Sequence, residues 1–495
     1  MPPEAATAWG LLPVLAVMLP VLGMVAAMPL GARGAERVTL ALLPVGLLIA
    51  LGVAYAVYGS GAPLRHALGH WAPPLGLAFR ADGLSAAMLL TAAIVIGATA
   101  LFARGQFGGG AETRRSFAFW PLLLAIWGAT NLTLVANDLF TCYVALELLT
   151  FAAMPMVALD GRRETLEAAL RYLMFALLGS VLYLLGVALL YGATGTLDIE
   201  VLAGRVGGSL PVLLAVALMT AGLLAKTALL PLHLWLPPAH AGAPAAASAV
   251  LSALVVKGSF ILVVRLWFGV LPGIPGPLAA QILAGLGAAA ILLGSVAALA
   301  QQRLKLLVAY STVAQIGYLF LMFPLVAGMP GTEAAAKAWT GGIVQAVAHA
   351  FAKAAMFLAV GIMAGRLGHD RIAGLAGAGR AMPVPLITFG LAGLTLMGVP
   401  PSGGFAAKWL LLSAAIEAGQ WWWALVILAG GLLTGGYVYG VLSVALRAGP
   451  EPPEAPRARG PEAIALGLAL ISVVLGVLPL AAFGLVQIGR LDLVP

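Results

Sequence analysis

Four of the six lysines lie inside long apolar runs, where a charged side chain is difficult to accommodate. They are Lys226, Lys257, Lys353 and Lys408, and one acid, Glu147, lies in the middle of another apolar run. At membrane depth an ionisable group is unfavourable by at least ~2.5–3.5 kcal/mol on the most lenient scale, and such groups usually line a substrate or proton pathway. Five of them in one chain therefore predict a pathway of this kind.

Composition favours a single polytopic membrane domain. The chain has 495 residues, of which 62% are hydrophobic and 9% are charged, whereas a soluble domain usually has about 25% charged residues. The net charge of +8 comes from basic residues in loops, and no basic stripe with interleaved aromatic residues accompanies it. We therefore attribute this charge to membrane topology and expect no nucleic-acid partner.

Redox chemistry is not expected in this chain. The single cysteine, Cys142, cannot form an intrachain disulfide, and an iron–sulfur cluster needs about four ligands. No Cys or His cluster has the spacing of a zinc site, and the glycine-rich segments lack the strand and helix of a nucleotide site. We therefore expect no cofactor and no metal. Glu4, with no basic residue before the first apolar run, indicates a retained helix rather than a cleaved signal peptide.

The hydropathy pattern predicts an all-α polytopic membrane protein with about fourteen transmembrane helices, because each crossing needs ~20 mostly apolar residues. The predicted spans are Trp9–Leu30, Val38–Tyr58, Gly83–Ala103, Ala118–Ala136, Asp138–Leu159, Leu166–Gly192, Pro211–Leu234, Pro244–Val270, Pro277–Ala300, Leu306–Ala327, Trp339–Gly365, Pro385–Leu412, Trp421–Leu446 and Glu462–Ile488.

The basic residues alternate between the two sides that these spans define. Loops after odd-numbered spans, with the adjoining span edges, hold sixteen of the 26 basic residues, including Arg457. The opposite side holds Arg65, Arg80, Arg205, Arg265, Lys337 and Arg490. The positive-inside rule then predicts that both termini lie outside. We expect the membrane to be a bacterial-type inner membrane.

The connecting segments are too short for a soluble domain. The proline-rich loop, from Arg447 to Pro461, joins the last two spans.

We divide the chain into the first three helices (1–117), a first repeat of helices four to eight (118–270), a second repeat of helices nine to thirteen (271–446), and the last loop and helix (447–495).

Two predicted spans are interrupted by proline, and each has a lysine near the interruption. Pro231 follows Lys226, and Pro400 and Pro401 precede Lys408. A proline removes a helical hydrogen bond and frees a carbonyl, and transporters place ion sites at such broken helices. Two broken helices five spans apart indicate inverted repeats.

Histidines accompany the lysines. His349 and Lys353 are four residues apart and so share one helix face, which suits a proton relay, with structural hydrogen bonding as the alternative. His233 and His240 follow the first break and are accessory candidates, or loop residues. For Glu147 the alternative is a bridge between two helices, and for Lys226 it is a side chain that reaches the membrane surface.

Four segments carry a resemblance to a known family. They are ANDLFTCYVALELL around Glu147, KTALLPLHLWLPPAHAGAPAAASAVLSALVVK from Lys226 to Lys257, HAFAK at His349–Lys353, and GVPPSGGFAAKW around Lys408. The chain resembles the antiporter-like membrane subunits of respiratory complex I, Mrp antiporters and membrane-bound hydrogenases over roughly residues 118–446. Lys408 matches the pattern of the complex I N subunit and the Mrp D subunit, whereas the complex I M subunit usually has a glutamate there.

The resemblance implies fourteen core helices, two inverted five-helix repeats and a proton path along the membrane midplane. It pairs Glu147 with Lys226, leads through Lys257 to His349 and Lys353, and ends at Lys408. It also implies partner subunits in a membrane complex. The alternatives are a sodium/proton antiporter, acting alone or of the Mrp type, and a subunit for proton-driven bicarbonate uptake.

Overall fold

The fold is built almost entirely of helices, and the computed structural model describes residues 7–108, 112–449 and 459–490. Glu4, Arg457 and most of the proline-rich loop lie outside the described residues. The helices of the first half are α1 (Leu11–Ala27), α2 (Gly31–Ser60), α3 (Gly83–Phe107), α4 (Arg114–Val135), α5 (Leu139–Val157), α6 (Arg163–Thr194), α7 (Ile199–Ala203), α8 (Leu210–Thr227), α9 (Leu236–Gly242), α10 (Ala245–Val250) and α11 (Val256–Val264).

The second half continues in the same way. Its helices are α12 (Gly276–Leu299), α13 (Leu304–Phe320), α14 (Met322–Ala327), α15 (Glu333–Leu367), α16 (Ala378–Ala381), α17 (Pro383–Met397), α18 (Gly403–Glu417), α19 (Trp421–Ala445) and α20 (Arg459–Val474). Short 3₁₀ helices are Met28–Leu30, Leu68–His70, Ile372–Leu375 and Leu480–Gln487, and π-helical turns are Leu251–Val255 and Arg265–Val270.

Length and hydropathy confirm a polytopic membrane protein. Within the described ranges, eleven helical stretches are long and apolar enough to cross a membrane. One of them, Leu11–Ser60, is 50 residues long and contains the first two predicted spans. The predicted spans Pro385–Leu412 and Glu462–Ile488 are shorter helices in the structure, because the first is split before Gly403 and the second ends at Val474.

A small β-hairpin corrects the all-helical expectation. Strands β1 (Leu64–Ala67) and β2 (Ala78–Ala81) pair antiparallel within a stretch that the sequence indicated only as a polar loop. Arg65 lies directly opposite Arg80, an arrangement that is unfavourable for like charges. Glu200 on α7 accepts hydrogen bonds from both guanidinium groups, at 2.5 and 3.1 Å, and so stabilises the pairing.

Ion pairs join loops that the sequence assigns to the same side. On the side with more basic residues, the pairs are Arg115–Asp160, Arg303–Asp370 and Arg366–Glu462. On the opposite side, they are Arg65–Glu200, Lys337–Glu417 and Arg265–Asp82. The bundle therefore has two ends whose residues match the predicted alternation. We call them the basic-rich end and the basic-poor end.

The stretch Ala245–Val270 lies at the centre of the bundle. All of its residues are buried, and it packs against α8 and α15. Two π-helical turns flank the α-helical segment that carries Lys257. Such turns disturb the regular ladder of hydrogen bonds and are frequent at functional sites.

Candidate functional site

Lys226 and Glu147 form a buried ion pair between α8 and α5. Nζ of Lys226 donates to Oε1 of Glu147 at 3.0 Å and to Oγ1 of Thr150 at 3.0 Å. The Ser180 hydroxyl on α6 donates to the same carboxylate oxygen. The amine therefore points into the bundle rather than to the membrane surface, and the carboxylate bridges α6 and α8.

The first helix break begins before the proline that predicted it. Helix α8 ends at Thr227, and Ala228 adopts left-handed backbone angles, three residues ahead of Pro231. Helix α9 then starts at Leu236. Lys226 therefore lies in the last turn of α8, where a cation is favourable beside the free carbonyl groups.

A hydroxyl contact connects this pair to the central helix. Oγ1 of Thr227 donates to Oγ of Ser259 at 2.9 Å, and these residues neighbour Lys226 and Lys257, respectively. Lys257 is completely buried, and its Nζ donates to the carbonyl of Ser252 at 2.5 Å. The carbonyl of Ser252 belongs to the π-helical turn that precedes α11.

Lys257 and Lys353 are joined through α13. The hydroxyls of Ser252 and Thr312 are 3.0 Å apart, and Thr312 donates to the carbonyl of Val308 at 3.1 Å. Nζ of Lys353 donates to that same carbonyl at 2.9 Å and also to the hydroxyl of Ser311. The two amines are therefore linked through the backbone and side chain of Ser252, the hydroxyl of Thr312 and the carbonyl of Val308.

His349 lies in the same buried region without a hydrogen bond. It is 1% exposed, and neither ring nitrogen has a partner among the described residues. It lies within electrostatic range of Lys257, Lys353 and Lys408. No partner among the described residues fixes its ring, and the relay role of His349 stays a prediction beside the structural alternative.

The accessory histidines lie on or beside α9. His240 is buried, neither of its ring nitrogens has a hydrogen-bond partner among the described residues, and Lys257 and Lys353 lie within electrostatic range of it. His233 is half-buried in the break, and its Nδ1 has no partner among the described residues. The structure thus brings His240 to the lysines and leaves His233 nearer the edge of the bundle.

Lys408 lies at the second break. Helix α17 ends at Met397 and α18 starts at Gly403, with Pro400 and Pro401 between them. Nζ of Lys408 donates to the carbonyls of Leu396 at 2.6 Å and Met397 at 3.3 Å. These are carbonyl groups at the C-terminal end of α17, where the helix dipole favours a cation. The amine also lies 3.9 Å from the ring centre of Tyr318.

Two glutamines lead from Lys408 towards His349. Nε2 of Gln315 donates to the carbonyl of Leu396 at 3.0 Å, the same carbonyl that Lys408 uses. Nε2 of Gln345 donates to Oε1 of Gln315 at 3.1 Å. Gln345 precedes His349 by one turn of α15, so the polar series extends from the second break to the centre of the bundle.

The lysines differ in their charge partners. Within residues 7–108, 112–449 and 459–490, only Lys226 among the four buried lysines has an acidic partner within 4.0 Å. Lys257, Lys353 and Lys408 are held by carbonyl and hydroxyl oxygens instead. Carbonyl and hydroxyl oxygens are uncharged, so they accept hydrogen bonds from these amines without supplying a counter-ion.

Comparison with known proteins agrees with this arrangement. The family described as NADH:quinone oxidoreductase/Mrp antiporter, TM, matches residues 136–434. The chain belongs to this family. It is 34% identical over 419 residues to NADH-quinone oxidoreductase subunit N of Desulforudis audaxviator, with 81% of each chain covered.

Two further proteins are similar to this chain over most of their length. The D subunit of the Na⁺/H⁺ antiporter of Alkalihalophilus pseudofirmus is 30% identical over 408 residues, covering 81% of this chain and 79% of that protein. A chain in the structure of the membrane-bound sulfane sulfur reductase, an archaeal respiratory membrane complex, superposes with a TM-score of 0.86 at 26% identity, and 97% of each chain is covered.

Sequence reasoning about this family member missed the polar residues of α13. Ser311 contacts Lys353, Thr312 contacts Ser252, and Gln315 contacts the carbonyl of Leu396. In the sequence they are indicated only by being polar residues on an otherwise apolar span. Serine and threonine often bond to the backbone of their own helix, so their presence there did not indicate a pathway. Their position beside the lysines becomes clear only from the packing of α13 against α9 and α15 and from its contact with the end of α17.

Proposed function

We propose that this chain conducts protons as an antiporter-like subunit of a multisubunit membrane complex. The observation that supports this proposal is the series of buried amines, three of them without an acidic partner among the described residues, joined largely by hydroxyl, carbonyl and amide groups. Ionisable groups at membrane depth mark proton relays and ion pathways. The similarity to an N subunit named for an oxidoreductase and a D subunit named for an antiporter supports the same function.

The Glu147–Lys226 pair would control proton loading. While the carboxylate lies beside the amine, it favours the charged amine despite burial. If Glu147 swings away, Lys226 loses its counter-ion and holds its proton less tightly. The side chain of Glu147 is 14% exposed, beside the exposed apolar residues Leu148 and Phe151 of α5, so a neighbouring subunit packed there would reach it.

The proton released at Lys226 would then move laterally. Lys257 accepts it, and the hydroxyls of Ser252 and Thr312 extend towards Lys353. A water molecule would carry the proton past the carbonyl of Val308, which only accepts hydrogen bonds. Within the part of the chain that the structure describes, the buried ring nitrogens of His349 and His240 have no partner, which is unfavourable unless water or a proton donor reaches them. Water bound by these rings would complete the relay towards Gln345, Gln315 and Lys408.

The finer topology is also a proposal. The stretch Leu11–Ser60 contains a 3₁₀ turn at Met28–Leu30, so it supplies two crossings. Helices α17 and α18 together form another crossing, and α20 forms the last, which gives fourteen. The two broken crossings, α8–α9 and α17–α18, each carry a lysine beside the break and support two inverted repeats, 118–270 and 271–446. We place the basic-rich end inside and both termini outside.

A proton path does not by itself identify the parent complex. We propose a complex I-like or hydrogenase-like assembly first, and an Mrp-type sodium/proton antiporter second, because the D subunit of a Na⁺/H⁺ antiporter is 30% identical to this chain. The lysine-rich path favours protons, since bare sodium prefers oxygen ligands. Proton-driven bicarbonate uptake is the remaining alternative.

The experiment that tests the function compares two lysine variants in sealed membrane vesicles that contain the full chain and its partner subunits. Lys257→Met removes a buried amine of the path, whereas Lys337→Met removes a partly exposed lysine that is paired with Glu333 and Glu417. We expect driven proton uptake to stop in the first and to continue in the second. Normal uptake in the first would refute the proposal.

The same vesicles identify the parent complex. Affinity purification of the tagged chain should recover iron–sulfur and flavin proteins if the assembly is a redox pump. Recovery of small membrane subunits alone, with proton uptake that requires sodium, would instead support the Mrp-type antiporter.

A further inference from the structure

A buried cluster of charged residues lies at the basic-poor end of the bundle, beside the central stretch Ala245–Val270. Asp82, just before α3, receives a hydrogen bond from Arg80 at 2.6 Å and two longer ones from Arg265 at 3.3 and 3.4 Å. Ser85 donates to the same carboxylate through its backbone and its hydroxyl. Both guanidinium groups and the carboxylate are buried, so the cluster belongs to the interior of the protein.

Arg265 lies on the same buried stretch as Lys257, eight residues further along. At the rise of a helix this is about 12 Å. Beyond Gly258 and Ser259, the residues that separate them, from Phe260 to Val264, are apolar and buried. Arg265 also donates to the hydroxyl of Ser85 at 2.7 Å and to the carbonyl of Leu134 at 3.0 Å, which fixes its position between α3 and α4.

Neither member of this ion pair is suited to carry a proton. A guanidinium group is not deprotonated in proteins, so Arg265 cannot accept and release one. Burial alone raises the pKa of Asp82, but the charges of Arg265 and Arg80 and the hydrogen bonds from Ser85 outweigh it and hold that pKa below its usual value. Asp82 therefore stays a carboxylate under ordinary conditions.

The cavity beside the cluster leaves little room for a water chain. It measures about 20 Å³ and is lined by Asp82, Arg265 and Trp339, among others. A volume of this size holds about one water molecule. A fixed positive charge in a narrow passage also repels protons, as arginine does in water channels.

We propose that Arg265, held by Asp82 and Ser85, is a barrier that prevents protons on Lys257 from leaving towards the basic-poor end. Protons that reach the central lysine then have only the lateral route to Lys353 and Lys408. This inference rests on the proposed proton pathway. It gives Arg265, which lies outside that pathway, the role of blocking proton escape from it.

The test measures passive proton leak in sealed membrane vesicles with the assembled complex and no driving reaction. A pH step is imposed, and a trapped pH indicator reports its decay. Arg265→Gln, which removes the fixed positive charge, should raise the leak several-fold. Arg205→Gln, at an exposed position of the same end, is the matched control. Adding Lys257→Met to Arg265→Gln should return the leak to the wild-type rate.

Two results would overturn the barrier. One is a wild-type leak rate in Arg265→Gln vesicles that contain a normal amount of the complex. The other is a raised leak that persists when Lys257→Met is added, because that leak bypasses the path. If the Arg265→Gln protein accumulates poorly, the leak is measured instead in the double variant Arg265→Gln/Asp82→Asn. This variant removes one charge of each sign and so leaves no unpaired buried carboxylate at position 82. If driven uptake still depends on Lys257 but the Arg265 variant shows no leak, the barrier is wrong and the proposed proton pathway stands.

Discussion

Nζ of Lys226 lies 3.0 Å from Oε1 of Glu147, and this is the one ion pair that a buried lysine of the path makes within the described part of the chain. The two residues are 79 positions apart and belong to α8 and α5. A contact over that separation holds the two helices in register. It also makes the proton affinity of Lys226 depend on the position of a single carboxylate.

The first prediction concerns this pair. Glu147→Gln keeps the shape of the side chain but removes its charge, so Lys226 loses its counter-ion. We expect driven proton uptake to fall about tenfold or more, since one unit of proton affinity corresponds to ~1.4 kcal/mol. Lys226→Ala should reduce uptake similarly, and the double variant should be no worse than either single variant. Additive losses would show that the two residues act separately.

A second prediction concerns the hydroxyl link between Lys257 and Lys353. Thr312→Val keeps the size of the side chain and removes its hydroxyl, which breaks the contact with Ser252. We expect slower proton uptake with little change in the amount of assembled complex. Thr39→Val is the matched control, because Thr39 is also buried and donates to the carbonyl four residues earlier, away from the path. Equal losses in both variants would argue against the link.

A third prediction separates charge from proton exchange at Lys408. Lys408→Arg retains a cation that can bond to the carbonyls of Leu396 and Met397 at the end of α17. Arginine does not release its proton, so uptake should stop although the helix end stays neutralised. Lys408→Ala should stop uptake and also lower the melting temperature. Normal uptake in the arginine variant would exclude proton exchange at this position.

A fourth prediction tests His349 as a relay. Its ring nitrogens have no partner among the described residues, so replacing the ring with an apolar side chain removes an unfavourable polar group. His349→Met should therefore keep or raise the thermal stability of the complex while slowing proton uptake. A clear loss of stability at normal uptake would indicate a structural role instead.

A fifth prediction concerns orientation. Arg163, at the start of α6, and Gly208, before α8, are exposed and belong to opposite ends of the bundle. The only native cysteine, Cys142, is buried. A cysteine placed at Arg163 should react with a membrane-impermeant thiol reagent only from the inside, and one at Gly208 only from the outside. The reverse pattern would invert the proposed topology.

The sequence predicted the charged residues of the site better than it predicted their connections. Hydropathy alone located Lys226, Lys257, Lys353 and Lys408 inside the membrane domain, and all four are buried. The links between them depend on how α13 packs, which no periodicity in one chain can reveal. The same limit applies to Arg265, whose meaning depends on Asp82, 183 residues away.

The fold was predictable where hydropathy dominates and less so where the backbone turns. The apolar runs gave the long helices, and proline indicated the two breaks. Proline did not give the site of the first break, because the left-handed angles at Ala228 end α8 three residues before Pro231. The hairpin was missed because its strands have only four residues each, and a third element, α7, supplies the charge that stabilises their pairing.

The shared carbonyl of Val308 has a consequence for how many charges the centre of the molecule can hold. Lys353 donates to it directly, and Lys257 reaches it through Ser252 and Thr312. Two ammonium groups so connected repel each other in a medium of low polarity, with no acid among the described residues to screen them. The centre would therefore be occupied by one positive charge at a time, and successive protons would have to wait for the preceding one to depart.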